Sequence, residues 1–416
     1  MAASGENLRI NPERLWESLE EMAKIGPGIA GGNNRQTLTD ADGEGRHLLK
    51  RWAGAAGLSM GLDRMGNMFF TRAGTDPGAL PVSMGSHLDT QPTGGKYDGV
   101  LGVLGALEVL RTMNDLGIQT RRPITLINWT NEEGARFAPA MLASGVFAGV
   151  ISEDYALSRQ DPEGKRFGEE LARIGWAGEE APGARKFHSY FELHIEQGPI
   201  LEAEGTDIGI VTHGQGLWWL EFTLTGKDAH TGSTPMHLRR NAGLAMARIF
   251  ELVQEVAMAG QPNAVGGIGQ VFFAPNSRNV IPGSVTFTVD IRSPDLGKLS
   301  RMRAAIESGA AEICAALQVG CAVEPVGHFD PVPFAPELVA RVRAAADHLG
   351  YSHRDIVSGA GHDACWLAKV TPSTMIFCPC EGGLSHNEAE AITPAWAAAG
   401  TDVLLHAVLE TAEIIR

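Results

Sequence analysis

The stretch Pro81-Val82-Ser83-Met84-Gly85-Ser86-His87-Leu88-Asp89-Thr90, followed by Asp98-Gly99 and the apolar run from Val100 to Leu110, decides the fold. A short apolar strand ending on polar side chains and leading into a helix is the first half of a strand–helix–strand unit. The same alternation extends outward on both sides. Strands are expected over 68–72, 81–86, 124–130, 189–195 and 208–211, and helices over 44–57, 99–116 and 136–145. Such a run builds a largely parallel or mixed sheet with helices on both faces, and ligand sites gather where its strands end.

From about 214 to 328 the pattern changes. A strand (217–224) leads to a helix (240–259), two strands (265–273, 284–291), a helix (296–317) and a last strand (319–326). That order, βαββαβ, is a split βαβ unit complete in itself. The α/β pattern then resumes with a helix (336–349), a strand (374–378) and a final helix (394–415). The expected division is therefore 1–213 and 329–416 as one interrupted domain of α/β class, with 214–328 inserted.

Composition narrows the function. A chain of 416 residues, 44% hydrophobic and 20% charged, can bury a full core in two or more domains. Its 49 acidic against 34 basic residues give a net charge of −15, which argues against backbone binding to nucleic acid or to an anionic membrane. Five cysteines, all from Cys314 onward, are too few and too late for a disulfide framework, so a reducing compartment is expected. Cys378-Pro379-Cys380 has no second pair and reads as strand-end packing rather than a zinc knuckle. The first 30 residues hold an amphipathic helix pattern (12–22) and not the apolar core of a signal peptide. The run 100–110 is too short to cross a bilayer and contains Glu108. A cytoplasmic protein is the expectation.

Three strand ends are dense in ligand-type side chains. The first carries His87, Asp89 and, at the following helix start, Asp98. Asp89 is placed to hold the second ring nitrogen of His87; Asp98 also reads as a helix N-cap. The second is Asn131-Glu132-Glu133-Gly134. Neighbouring carboxylates on extended backbone point to opposite sides, so one can ligate while the other serves a water as general base. The third, His194-Ile195-Glu196-Gln197-Gly198-Pro199, ends a strand, and Ser385-His386-Asn387-Glu388 follows the late one. Taken singly, each has an ordinary structural reading. Together His87, Asp98, Glu133, His194 and His386 form a nitrogen–oxygen set without sulfur, suited to Zn²⁺, Mn²⁺ or Co²⁺. If Asp98 bridges, two cations each have three protein ligands. Gly99, Gly102 and Gly105 lack phosphate-loop spacing and read as close helix–sheet packing. No Gly-x-Ser-x-Gly elbow is present.

In this order, these motifs resemble the dinuclear metallo-amidohydrolases of the M20 peptidase family. More narrowly, they resemble the branch of N-carbamoyl-L-amino acid hydrolases, β-ureidopropionases and allantoate amidohydrolases. The resemblance runs over nearly the whole chain. It implies a mixed-sheet, metallopeptidase-like catalytic domain and an inserted lid and dimerisation domain, in a homodimer. It implies that His87, Asp98 and His194 hold one metal ion, that Asp98, Glu133 and His386 hold the other, and that Glu132 is the general base. His194, where the peptidase branch has a carboxylate, marks this branch. Gly226-Lys227-Asp228-Ala229-His230-Thr231-Gly232 resembles the segment whose histidine, here His230, stabilises the oxyanion. Asn279 and Arg292 correspond to the substrate carboxylate clamp, for which an arginine fork is well shaped. Gln197 corresponds to the group that binds the carbamoyl or ureido end.

Asn241 departs from the pattern, since many relatives carry Asp there. His213 and His237 read as surface or hinge residues, and the His362 side chain is assigned no catalytic part. The implied activity is hydrolysis of the carbamoyl C–N bond of an N-carbamoyl amino acid, α-L or β. An allantoate amidohydrolase and a non-catalytic binder of ureido acids are the alternatives.

Overall fold

In the computed structural model, four apolar strands lie side by side and parallel in the middle of a nine-stranded sheet, in the order Ile124–Trp129, Val82–His87, Ser189–Ile195, Ser373–Cys378. Every residue of the four is buried, as strands covered on both faces require. Antiparallel strands flank them: Met68–Arg72 and then Ser59–Leu62 on one side, Ile208–Gly214 on the other. The structure describes residues 7–415. The outer ends of the expected domain division, residues 1–6 and 416, lie outside the described residues.

Adjacent residues of one strand show how the two faces are used. Leu193 packs against Gly105 and Gly400, on helices Val100–Asp115 and Pro394–Ala412. Its neighbour Glu192 faces the other way and accepts the Ala364 N–H at 2.9 Å, at the start of the short helix Asp363–Leu367. Because the four central strands are parallel, their carboxyl ends all emerge at one edge. His87 pairs with Trp129, and Phe377 with His194. The segments singled out as ligand-rich therefore share that edge.

Some elements differ from expectation. Residues 131–141 form no helix; one begins only at Leu142 and ends at Phe147. Asn131, Gly134 and Met141 adopt left-handed backbone, and Pro139 removes a donor, so a continuous helix is excluded. The loop closes through Met141 N–H to Glu132 O (2.6 Å) and Asn131 Nδ2 to Phe137 O (2.7 Å). The strand His353–Ser358, paired with Ile208–Gly214, shows too little apolar alternation to be read from sequence. The final helix stops at Ala412, and Ile414–Ile415 pairs with Gln119–Thr120.

The described residues divide into two compact units, one ending at Thr212 and resuming at Phe334, the other His213–Pro333. The second runs strand Gly216–Thr225, helix Ala242–Ala259, strands Val265–Ala274 and Ser284–Ser293, helix Leu296–Ala316, strand Gly320–Phe329. Its four long strands form an antiparallel sheet with Val265–Ala274 and Gly320–Phe329 at the edges. Val285, Phe287, Val289 and Ile291 alternate inward to meet Ile249, Val253, Leu299 and Ile306. Asn241 caps its first helix by accepting the Leu244 N–H at 3.1 Å, a role Asn fills as well as Asp. Among the described residues no helix is long and apolar enough to cross a membrane.

Candidate metal centre

His87 is the last residue of its strand, and the turn that follows brings Asp98 back beside its ring. Gly99 makes this possible: its φ is +67°, and a Cβ there would overlap the His87 imidazole. The N-cap of helix Val100–Asp115 is Gly99, without a side-chain cap, so Asp98 is not spent on capping. His87, Asp98 and His194 each offer one ligand atom, all within 4.8 Å of one another; Asp98, Glu133 and His386 form a second such group. Asp98 belongs to both.

The atoms face one another in a way that fits cations. His87 Nδ1 lies 2.8 Å from the Asp89 carbonyl and His194 Nδ1 3.0 Å from the Ile195 carbonyl, so both Nδ1 atoms carry the proton. In the neutral rings each Nε2 is left as a lone pair. His87 Nε2 is buried without a hydrogen-bond partner, 3.4 Å from Asp98 Oδ1 and 3.5 Å from Glu132 Oε2. His194 Nε2 accepts the Gly99 N–H (3.1 Å) and lies 3.2 Å from the same Asp98 oxygen. On the other side, His386 Nε2 is 3.5 Å from Asp98 Oδ2 and 3.3 Å from Glu133 Oε2. Ligands 2.0–2.1 Å from a tetrahedral cation stand about 3.4 Å apart. Lone pairs directed at carboxylates at that spacing repel unless positive charge lies between them.

The electrostatics agree. Asp89, Asp98 and Glu132 are buried within one small region beside Glu133. Burial opposes charge on His87, yet Glu132, Asp98 and Asp89 outweigh it and raise its pKa well above the ordinary value. Burial pushes Glu132 well up and Asp89 up to about 6. Carboxylates packed this closely favour positive charge between them, a proton on an imidazole in the free protein or divalent ions when bound.

Asp89 differs from expectation. The His87 ring bonds to its backbone carbonyl, while the carboxylate stands 3.8 Å from Nδ1. The carboxylate instead accepts the Glu132 N–H (3.3 Å) and the Glu133 N–H (3.2 Å) and so aims both side chains. Gln197, at φ +58°, gives its amide N–H groups to Asp98 Oδ2 (2.7 Å) and Ser385 Oγ (3.0 Å), leaving Oε1 buried without a partner. Three residues of the site had not been singled out as contributors. Gln91 donates to Glu133 Oε2 (2.7 Å), Ser385 to Asp98 Oδ2 (2.8 Å), and Glu390 accepts the Asp98 N–H (3.1 Å). Their only signal in the sequence is proximity to ligand residues. The His362 and His194 rings meet edge to face, and His362 bonds Ser358 Oγ at 3.0 Å.

His230, Asn279 and Arg292 lie in the second unit. His230 and Asn279 sit on one short ribbon, where the Thr231 N–H meets the Asn279 carbonyl at 2.9 Å. Arg292, on the strand Ser284–Ser293, is ion-paired with Asp290 at 2.7 Å.

A parallel-centred sheet with this nitrogen–oxygen cluster at its carboxyl edge is the frame of a known class. The pattern of peptidase family M20/M25/M40 matches residues 84–410, and the chain belongs to that family. Within it, the chain is 73% identical over 416 residues, all of both chains, to the N-carbamoyl-L-amino-acid amidohydrolase of Rhizobium meliloti. It is 37% identical over 408 residues to the N-carbamoyl-L-amino acid amidohydrolase of Geobacillus stearothermophilus, covering 97% of this chain and 99% of that one. Among solved structures it is similar to a hydantoinase/carbamoylase family amidase from Burkholderia multivorans, with TM-score 0.96, 54% identity, and coverage of 98% of this chain and 99% of that one.

Proposed function

We propose that this protein is an N-carbamoyl-L-amino acid amidohydrolase that hydrolyses the carbamoyl C–N bond, giving the amino acid, CO2 and ammonia. The observation that carries the reading is the pair of ligand groups, spaced 3.2–3.5 Å across their facing atoms and joined at Asp98. The names of relatives matched end to end supply the substrate class. In this reading His87, Asp98 and His194 hold one divalent ion, and Asp98, Glu133 and His386 the other, with Zn²⁺, Mn²⁺ and Co²⁺ all suited to the set. When bound, such a pair polarises a carbonyl and acidifies a water.

The protein's own groups do the rest. Glu132, buried beside His87, takes the proton of the attacking water and returns it to the leaving amine. The carbamate released breaks down to CO2 and ammonia. Gln197 Oε1 can only accept, so it selects the N–H groups of the carbamoyl end. His230 stabilises the oxyanion, and Asn279 and Arg292 hold the carboxylate. The insertion, 214–328, acts as lid and dimerisation domain of a cytoplasmic homodimer. Its edge strand Val265–Ala274, with Val265 and Phe272 exposed, supports the dimer contact.

The test is ammonia release by metal-stripped protein reconstituted separately with Mn²⁺, Co²⁺ and Zn²⁺. N-carbamoyl-L-amino acids are expected to turn over, and N-carbamoyl-β-alanine and allantoate to lag far behind. Protein that holds its metal and releases no ammonia from any ureido compound sinks the proposal. Glu132→Gln should keep its metal and lose about 10²–10⁴-fold in kcat, measured in the same assay. Sedimentation at micromolar concentration checks the dimer.

A further inference from the structure

We infer that Glu390 is a positioning residue that fixes Asp98 in its shared orientation by accepting two backbone N–H groups at the head of the following helix. The inference rests on the two-cation reading proposed above and deepens it. Asp98 is the only group common to both ligand sets, so its backbone placement governs both. The N–H groups of Tyr97 and Asp98 come just before the N-cap, Gly99, and so lie outside the hydrogen bonds of the helix itself. Glu390, 4% exposed and almost three hundred residues further along the chain, receives both on one oxygen, at 3.0 and 3.1 Å. Its other oxygen lies 3.3 Å from Ser385 Oγ, which donates to Asp98 Oδ2 at 2.8 Å.

One carboxyl group thus braces Asp98 through its backbone, and its second oxygen stands beside the hydroxyl that meets the Asp98 side chain. The chain makes room for it: a Cβ on Gly95 would overlap the Glu390 carboxyl group. The segment is pinned from its outer side too, since Glu388 accepts the Ala30 and Gly32 N–H groups. His386, two residues before Glu388, adopts φ +53°, a backbone region that residues other than glycine seldom occupy. Glu390 therefore ties the ligand contributed after Ser373–Cys378 to the one contributed after Val82–His87.

The experiment is Co²⁺ titration of metal-stripped protein, followed by visible d–d absorption and by bound metal after dialysis. Wild type should take up two equivalents. Glu390→Ala should keep its far-ultraviolet circular dichroism and bind both equivalents about 10–100-fold more weakly, the usual loss for a group that orients a ligand. Glu390→Gln retains an oxygen for the two N–H groups and an amide to donate to Ser385 Oγ, so it should stay within a few-fold of wild type. Gly95→Ala, which crowds the carboxyl group away, should resemble Glu390→Ala. If the alanine variant does not fold, Glu390→Asp, one methylene short of the two amides, gives the same readout. Two wild-type-affinity equivalents in the alanine or aspartate variant overturn the role of Glu390, as does a glutamine variant as weak as alanine. Wild type that binds fewer than two overturns the two-cation reading, and this inference with it.

Discussion

Asp89 carries two backbone amides on one buried carboxylate, and the spacing of Glu132 and Glu133 depends on it. Asp89→Asn preserves shape but turns one acceptor into a donor, so one of the two N–H groups meets an NH2. A buried donor left unmet costs about 1–3 kcal/mol. We expect the metal-free variant to unfold at correspondingly lower urea and the reconstituted one to hold metal about 10–100-fold more weakly. Wild-type values in both measurements would mean that the two carboxylates are aimed by other contacts. The five candidate ligand side chains were legible because imidazoles and carboxylates are chemically distinctive where apolar strands end. The bracing was not, for sequence cannot tell the carbonyl of Asp89 from its carboxylate. Nor can it show that Glu390 folds back onto the amides of Tyr97 and Asp98.

The helix Val100–Asp115 delivers Asp98 to the cluster and packs on the strands that deliver His87 and His194. Gly102 sits at the closest approach, where a Cβ would overlap the Leu193 carbonyl and stand 2.7 Å from Ser86 Cβ. Gly102→Ala must push the helix outward, at about 1–3 kcal/mol for an overpacked core position. Gly54, in helix Asp40–Ala55, is exposed, and nothing lies within 4 Å of a Cβ placed there. Gly54→Ala should instead stabilise by about 0.5–1 kcal/mol, the helix preference alone. Opposite signs in chemical denaturation of the two variants check the argument; equal signs would contradict it. The apolar run at Val100 made this helix readable, and its glycines were readable as packing because they lack phosphate-loop spacing. The stretch from 131 to 187 was not. Its short helices are held by distant polar contacts, such as Arg136 to Asp161 (3.0 Å), to Glu170 (2.6 Å) and to the Thr37 carbonyl (3.1 Å), which no local periodicity announces.

All five proposed ligand residues belong to one of the two units, while the other, His213–Pro333, closes its own core around Phe222, Phe287 and Ile306. Metal that binds only the folded form stabilises by RT ln(1 + [M]/Kd), about 2.7 kcal/mol per site at a hundredfold excess over Kd. That free energy enters through the strands that present the ligands, Val82–His87 and Ser189–Ile195, and through the segment around His386. Hydrogen–deuterium exchange with and without a chelator resolves where it acts. Removing metal should speed amide exchange in those strands and lower the apparent melting temperature of the protein. Exchange in the strands Gly216–Thr225 and Ser284–Ser293 should stay the same, because their protection comes from the apolar core of their own unit. Equal acceleration in both units would show that the small unit's stability depends on the cations and not on its own core alone.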